Sequence, residues 1–287
     1  MANSTLIAVA WTGVSGSALI TAAALFMHGI YVVLAVLALL FLYQRRPAGA
    51  AVLGGLIAAM CVLGTAAMVL QVGSTVFWLE SLHSAAQNST TASQVQGLEH
   101  TEDVMMFVEM LLVIANNAIA DGLLIYRCYV IWAGSHQKVV ILPVVLALAS
   151  AASGYVAAHR EFGARNSTLI TPSDSRIFYG LVVATNLSLT LLTVGRILHT
   201  RRDLKSIGKT KFVARYNTAI KMLLESAVLY LVFSCATIFV RSLDEFDAAN
   251  VFYGLNAPLM NIIPTLLVVR ISLAAKRTSA VSPAFQF

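Results

Sequence analysis

The sequence predicts an all-α, polytopic membrane protein: a seven-transmembrane-helix bundle with its N-terminus outside and its C-terminus in the cytosol. Of the 287 residues, 59% are hydrophobic and only 11% are charged, whereas a soluble domain has about 25% charged residues. Apolar runs of the roughly 20 residues that cross a bilayer recur from end to end. We therefore expect a single membrane domain over residues 1–287, with no separate soluble domain, in contact with the lipid bilayer.

Seven apolar runs define the expected spans. They lie at about residues 17–43, 50–77, 102–132, 139–158, 177–198, 219–240 and 251–273. The first span is expected to start after Gly13, Ser15, Gly16 and Ser17, because Gly and Ser disfavour helix interiors.

The later spans have their own signatures. The second is rich in Gly and Ala, which allow helices to pack closely. A polar loop, 78–101, separates it from the third span. The fourth has Pro143 in its first turn, where proline is tolerated. A basic loop, 199–216, joins spans five and six, and the seventh contains Pro258 and Pro264.

The distribution of basic residues predicts the orientation. With these spans, 15 of the 19 lysines and arginines fall at one set of connections and the remaining four at the other. Cytoplasmic connections of membrane proteins are enriched in Lys and Arg. The net charge of +6 is therefore a topology signal, and no nucleic-acid partner is expected.

Glycosylation sequons agree with this orientation. Asn3, Asn88 and Asn166 each begin an Asn-X-Ser/Thr triplet in a segment that the topology places outside. Asn88, in the longest outer loop, is the best candidate acceptor. A surface glycoprotein of the plasma membrane is the expected outcome.

Ionisable and amide side chains concentrate on the third span. They are Glu109, Asn116, Asn117, Asp121 and Arg127. At 100° per residue they form one polar face about 140° wide, which a helix surrounded by lipid could not carry. We expect this span to be central, with polar groups that either bond neighbouring helices or serve a functional site.

Two candidate sites follow from the depth of these residues. A polar network at the cytoplasmic end would join the following charged residues: Asp121, Arg127, Glu225, Lys221 and Arg196. A second, ligand-facing group near the outside would contain Glu109, Asn116 and Asn117. The network could be a lock between two conformations or a set of static pairs.

Several chemistries have no support in the sequence. Cys61, Cys128 and Cys235 lie in or at the inner end of apolar runs, so no disulfide framework is expected. His28 is the only histidine inside a span, and an intramembrane zinc site needs several. The seventh span has no lysine for a retinal Schiff base. We expect no metal, no cofactor and no assigned catalytic residue.

Three blocks of the chain resemble a known family. They are Ala120-Asp121-Gly122 through Tyr126-Arg127-Cys128 to Trp132, Glu225-Ser226-Ala227-Val228-Leu229-Tyr230, and Pro264 with Val268-Val269-Arg270. Together they are similar to a large, mostly uncharacterised family of seven-transmembrane proteins from mushroom-forming (basidiomycete) fungi. The resemblance covers nearly the whole chain and implies a receptor-like topology, but no ligand, reaction or catalytic residue.

Three functions are compatible with these features. The leading hypothesis is a receptor-like surface protein that senses an external small molecule, with the 199–216 loop as a docking surface for a cytosolic signalling partner. The alternatives are a membrane enzyme acting on a lipid or terpenoid near Asp121 and Glu225, and a small-solute transporter. An outer cavity near Glu109 would favour the receptor, an inner cavity the enzyme, and a through-path the transporter.

Overall fold

The computed structural model describes residues 2–45, 49–86, 92–132, 137–165, 174–206, 224, 225, 228, 231–236, 239, 255, 258–270 and 273. Within these residues all regular structure is helical, which confirms the all-α class. Five long helices are α1 (Ala2–Arg45), α2 (Ala50–Ala86), α3 (Ala92–Ile131), α4 (Ile141–Arg165) and α5 (Asp174–Ser206). A short 3-10 helix, Gln137–Val140, precedes α4, and a further apolar helix spans Pro258–Arg270.

Five helices are long and apolar enough to cross a bilayer. Their apolar stretches are Gly16–Gln44, Ala50–Ser81, His100–Ile131, Lys138–Arg160 and Ile177–His199. They coincide with the first five predicted spans to within about four residues. The predicted spans 219–240 and 251–273 lie only partly within the described residues, and those described are helical.

Two expectations about helix ends are corrected. Helix α1 runs unbroken through Gly13, Ser15, Gly16 and Ser17, because propensity is a weak preference and extending an existing helix adds one hydrogen bond per residue. The predicted loops 78–101 and 199–216 begin as helix instead, since α2 continues to Ala86 and α5 to Ser206. Hydropathy marks where a helix leaves the apolar region, which need not be where its hydrogen bonding stops.

The turn between α1 and α2 requires a glycine. Gly49 has a φ of +82°, in the left-handed region that glycine adopts without strain. Its carbonyl accepts the bond from Leu53 N at 3.0 Å that begins α2. A side chain here would also collide with the hydroxyl of Tyr126, so the turn packs directly against the C-terminal part of α3.

Helix α3 is the centre of the described structure, as its polar pattern predicted. It contributes residues to three buried clusters, represented by Leu123, Ile114 and Cys128. The first cluster joins α3 to α1, α2 and the Pro258–Arg270 helix. The second joins α3 to α4, α5 and the Pro258–Arg270 helix. The third joins α3 to α5 and the 3-10 helix. A helix surrounded on all these sides can carry polar groups without exposing them to lipid.

The Pro258–Arg270 helix lies parallel to α3. Asn261 contacts Asn116, and seven residues further along each helix Val268 and Leu123 share one apolar cluster. Equal steps along both helices keep these contacts in register. The bundle thus has two ends, which we call the α3 N-terminal side and the α3 C-terminal side.

Candidate functional site

Helices α1 and α2 are joined by polar contacts at two levels. Thr21 Oγ1 and Thr75 Oγ1 are 2.9 Å apart, and His28 Nε2 lies 3.2 Å from Thr65 Oγ1. The Thr65 hydroxyl also donates to the carbonyl of Cys61 at 2.7 Å. With that proton already engaged, the Thr65 oxygen is an acceptor for the imidazole N–H. His28 is therefore held with its ring facing α2.

A short hydrogen bond between α3 and the Pro258–Arg270 helix joins two asparagines. Asn116 Nδ2 donates to Asn261 Oδ1 at 2.7 Å, and both side chains are buried, with 2% and 1% of their surface exposed. Gly64 on α2 makes room for this pair, since a Cβ there would lie 2.9 Å from Asn261 Nδ2. Three helices thus approach one another around a single amide–amide hydrogen bond.

A small polar cavity lies beside the asparagine pair. Its volume is about 20 Å³, and its polar lining consists of His28, Gln71, Glu109, Asn116 and Asn261. A water molecule needs about 10–15 Å³ measured this way, so the cavity fits a single small ion or water.

The cavity occupies the α3 N-terminal half of the bundle. Asn116 lies at the middle of the His100–Ile131 stretch, and Glu109 is about 10 Å nearer its N-terminal end. Further toward the α3 C-terminal side lies an apolar cluster that includes Leu123, beside the buried side chain of Asp121. Neither residue lines the cavity.

Asp121 lies in a separate, tighter environment. It is 1% exposed, and its Oδ2 accepts a hydrogen bond of 3.4 Å from Asn117 Nδ2, one turn earlier on α3. Asn117 is not among the residues that line the cavity. The expected ligand-facing group thus divides: Glu109 and Asn116 line the cavity, while Asn117 pairs with Asp121.

Charged side chains meet again at the α3 C-terminal side. Arg270 Nη1 lies 3.6 Å from Glu225 Oε2, in an ion pair with partly exposed partners. The Arg196 guanidinium carbon lies 5.3 Å from the centroid of the Trp132 ring, within the range of a cation–π interaction. Arg127 Nη1 is buried without a hydrogen-bond partner among the described residues.

These positions bear on the predicted network without testing it as a whole. Glu225 contacts Arg270 and Asp121 contacts Asn117, and neither of these two contacts joins the two acids. Lys221, Asn88 and Asn166 lie outside the described residues, as does most of the 199–216 loop. Asn3 is in helix α1, and its side chain is not described.

The sequence analysis did not predict two polar members of the cavity, Asn261 and Gln71. It also did not predict that Thr65 contacts His28 or that Arg270 forms an ion pair. The signal was present: Asn261 and Gln71 are amides within otherwise apolar runs, and polar side chains in spans usually face the bundle interior. Which helices they would join required the packing.

The structure also describes the cysteines and most of the side chains that could bind a metal. Cys61, Cys128 and Cys235 are all free. Among the described residues no group of three or more His, Cys, Asp or Glu side chains could hold a metal ion. The polar cavity offers carboxylate and amide oxygens, which suit water or a hard cation.

Comparison with known proteins adds no relative. No family model, no curated protein and no solved structure matches this chain. The fold and site therefore define a helical membrane protein with a buried polar cavity, and its function is argued from that geometry.

Proposed function

We propose that this chain is a receptor-like, seven-helix surface protein that senses an external small molecule and signals through the cytoplasmic ends of its helices. The observation that carries the proposal is the position of the polar cavity beside Glu109, in the α3 N-terminal half of the bundle. On the topology that the basic residues predict, this half faces the outside. Membership of the basidiomycete seven-helix family is part of the same proposal.

The apolar cluster below the cavity supports a receptor over a transporter. Below Asn116 the side chains of Leu123, Met60 and Val268 are buried together. Transport requires that a site be reached from both sides in turn. A cavity with an apolar floor is suited to binding from one side and to passing on a shift in helix position.

Two features support signalling at the other end. The ion pair between Arg270 and Glu225 joins the last helix to the 224–239 segment, and Arg196 stacks on Trp132. Both contacts are partly exposed and lie at the α3 C-terminal side, where the apolar stretches of α3 and α5 end. A small displacement of these helices would rearrange that surface, which the basic 199–216 loop would extend toward a cytosolic partner.

The enzyme alternative has no favouring observation among the described residues. A substrate for acid–base chemistry must touch the catalytic carboxylate, yet Asp121 is 1% exposed and bonded to Asn117. Glu225 is exposed but paired with Arg270. Neither acid lines the polar cavity beside Glu109.

Ligand binding would have to enlarge the cavity, because about 20 Å³ does not hold an organic molecule. Met68 and Gln71 line it, and their long, flexible side chains can move aside. A ligand that binds the enlarged form better shifts the bundle toward that form. We place Glu109 at the contact with the ligand, since it is the only acid in the lining.

The test uses the purified full-length protein in lipid nanodiscs and a library of small polar metabolites of known composition. Under the receptor proposal, at least one compound raises the thermal unfolding midpoint of the wild type and of Asp121→Asn. The same compound does not raise the unfolding midpoint of Glu109→Gln or of the more conservative Glu109→Asp. Mass spectrometry recovers it unchanged.

Two results would contradict the proposal. Conversion of the compound to a product, with the conversion lost in Asp121→Asn, would identify an enzyme. Accumulation of the compound inside sealed proteoliposomes would identify a transporter.

A further inference from the structure

We propose that the polar cavity binds one monovalent cation of the size of Na⁺, held between α1, α2, α3 and the Pro258–Arg270 helix. The inference goes beyond the receptor proposal, because cation binding needs no external ligand and is measured without one. Three observations carry it: the charge of the lining, an amide oxygen without a partner, and the size of the space.

The lining has one acid and no basic Lys or Arg side chain. Glu109 makes no hydrogen bond or ion pair with any described residue, and the other ionisable group, His28, has its Nε2 engaged by Thr65. A carboxylate within a membrane-spanning bundle and without a counter-charge in its lining is unfavourable. A bound monovalent cation would supply the single positive charge that this lining lacks.

The second observation is independent of Glu109. Asn116 Oδ1 is buried without a hydrogen-bond partner in the described structure, although the residue is 2% exposed and lines the cavity. Its amide nitrogen is already committed to Asn261, so the orphaned atom is an acceptor that needs a donor or a cation. Buried polar atoms are rarely left without partners.

Donor type and size select the class of ion. Carboxylate and amide oxygens are ligands for hard cations, whereas imidazole and thiolate clusters select transition metals. Ca²⁺ takes six to eight oxygens and Mg²⁺ usually keeps several waters, which exceeds what about 20 Å³ and one carboxylate offer. A small monovalent cation matches both the volume and the charge.

A cation in this place would connect helices. Glu109 and Asn116 lie on α3, Gln71 on α2, and Asn261 on the Pro258–Arg270 helix. Binding to the folded bundle alone stabilises it as the ion concentration rises through the dissociation constant. The ion would also favour the compact arrangement in which the asparagine pair is closed.

The experiment measures binding of ²²Na⁺ to the purified full-length protein in nanodiscs, with choline chloride keeping the ionic strength constant. We expect saturable binding of one Na⁺ per chain, and a thermal unfolding midpoint that rises over the same Na⁺ range. In Glu109→Gln and in Asn116→Leu the half-saturating concentration should rise at least tenfold. Asp121→Asn is the matched control, since it removes a carboxylate from α3 about 18 Å from Glu109 and should bind Na⁺ as the wild type does.

Two outcomes would overturn the proposal. One is a wild type that binds no ²²Na⁺ above the choline background, which would mean that the cavity holds water only. The other is unchanged binding in a folded Glu109→Gln variant. If that variant does not fold, the wild-type isotherm alone decides, because it requires no substitution. Neither outcome bears on sensing of an organic ligand.

Discussion

At the scale of single residues, the contact between Asn116 and Asn261 is the main polar link between α3 and the last helix. Both side chains are almost fully buried, and the two amides meet at 2.7 Å. In a bilayer no water replaces a lost partner, so the remaining amide keeps its unsatisfied groups. The bond therefore matters more for holding these helices in register than its net energy suggests.

Removing one amide should destabilise the bundle. We expect Asn116→Ala and Asn261→Ala each to lower the free energy of unfolding by about 1–3 kcal/mol. The double variant should show a coupling energy of about 0.6–1.7 kcal/mol, measured by SDS-induced unfolding. Ser150→Ala is the control, because the Ser150 hydroxyl bonds only the Ala147 carbonyl of its own helix. Losses at 116 and 261 that simply add would refute the coupling.

Gly64 and Gly55 both lie on α2, but they differ in the space around them. A Cβ at Gly64 would lie 2.9 Å from Asn261 Nδ2, whereas a Cβ at Gly55 meets nothing within 4 Å. The Asn261 amide cannot move away freely because Asn116 holds it. The two glycines therefore form a matched pair on one helix.

We expect opposite signs for the two alanine substitutions. Gly64→Ala should reduce the free energy of unfolding by about 1–3 kcal/mol through overpacking. Gly55→Ala should increase it by up to about 1 kcal/mol, since alanine favours the helix. Thermal unfolding in the same detergent measures both. Equal stabilisation by the two changes would show that Asn261 relaxes and that the close approach is not required.

At the scale of elements, the Pro258–Arg270 helix is joined to its neighbours by a different contact at each level. Near its start Asn261 binds α3, in its second half Val268 and Val269 enter the apolar cluster with α1 and α2, and at its end Arg270 pairs with Glu225. The last contact is the most exposed, with about a third of Arg270 and half of Glu225 accessible. Solvated pairs of this kind are weak.

The ion pair should therefore affect the position of the Pro258–Arg270 helix more than the free energy of unfolding. We expect Arg270→Gln and Glu225→Gln each to change the free energy of unfolding by less than about 1 kcal/mol, with the effect reduced in high salt. Asp121→Asn is the informative third variant. If Glu225 is coupled to Arg270 but not to Asp121, the two acids do not belong to one network. Coupling between Asp121 and Glu225 would support the predicted network. Double-mutant cycles on unfolding free energies measure both.

At the scale of the whole molecule, the distribution of charge predicts the orientation in the membrane. Fifteen of the 19 basic residues fall on the side that the sequence assigns to the cytosol, which is the α3 C-terminal side. The contacts of Arg270 and Arg196 lie at that same side. Moving these charges across a membrane is strongly unfavourable, so the bias predicts that this end stays inside.

Epitope tags at the two termini test this orientation. In intact cells we expect an N-terminal tag to bind antibody without permeabilisation, and a C-terminal tag to bind only after it. Permeabilised cells that stain for both tags are the control for expression. An N-terminal tag that is protected in intact cells would reverse the map, and with it the outward position of the cavity.

Glycosylation gives a second, chemical test of the same topology. Asn88→Gln should remove a shift in gel mobility that glycosidase treatment also removes, because Asn88 is in the longest predicted outer loop. Asn166→Gln is the comparison. A glycosidase-sensitive shift that persists in Asn88→Gln but disappears in Asn166→Gln would place the glycan in the other loop.

The sequence alone determined the all-α class, five of the spans to within a few residues, and the central place of α3. Each depends on a local quantity, namely the hydropathy of about 20 consecutive residues or the angular spacing of polar groups on one helix. The same local rules failed at the helix ends, where α1, α2 and α5 continue beyond their apolar stretches. They also identified Glu109 and Asn116 as members of one site.

Only the tertiary structure decided which side chains meet. Asn261 is 145 residues from Asn116, and the sequence did not predict that Glu225 pairs with Arg270. Periodicity fixes the face on which a side chain lies, but not which helix packs against that face. That choice depends on shape at close approach, such as the missing Cβ of Gly64 that admits Asn261. The polar cavity exists because four helices pack in this one arrangement.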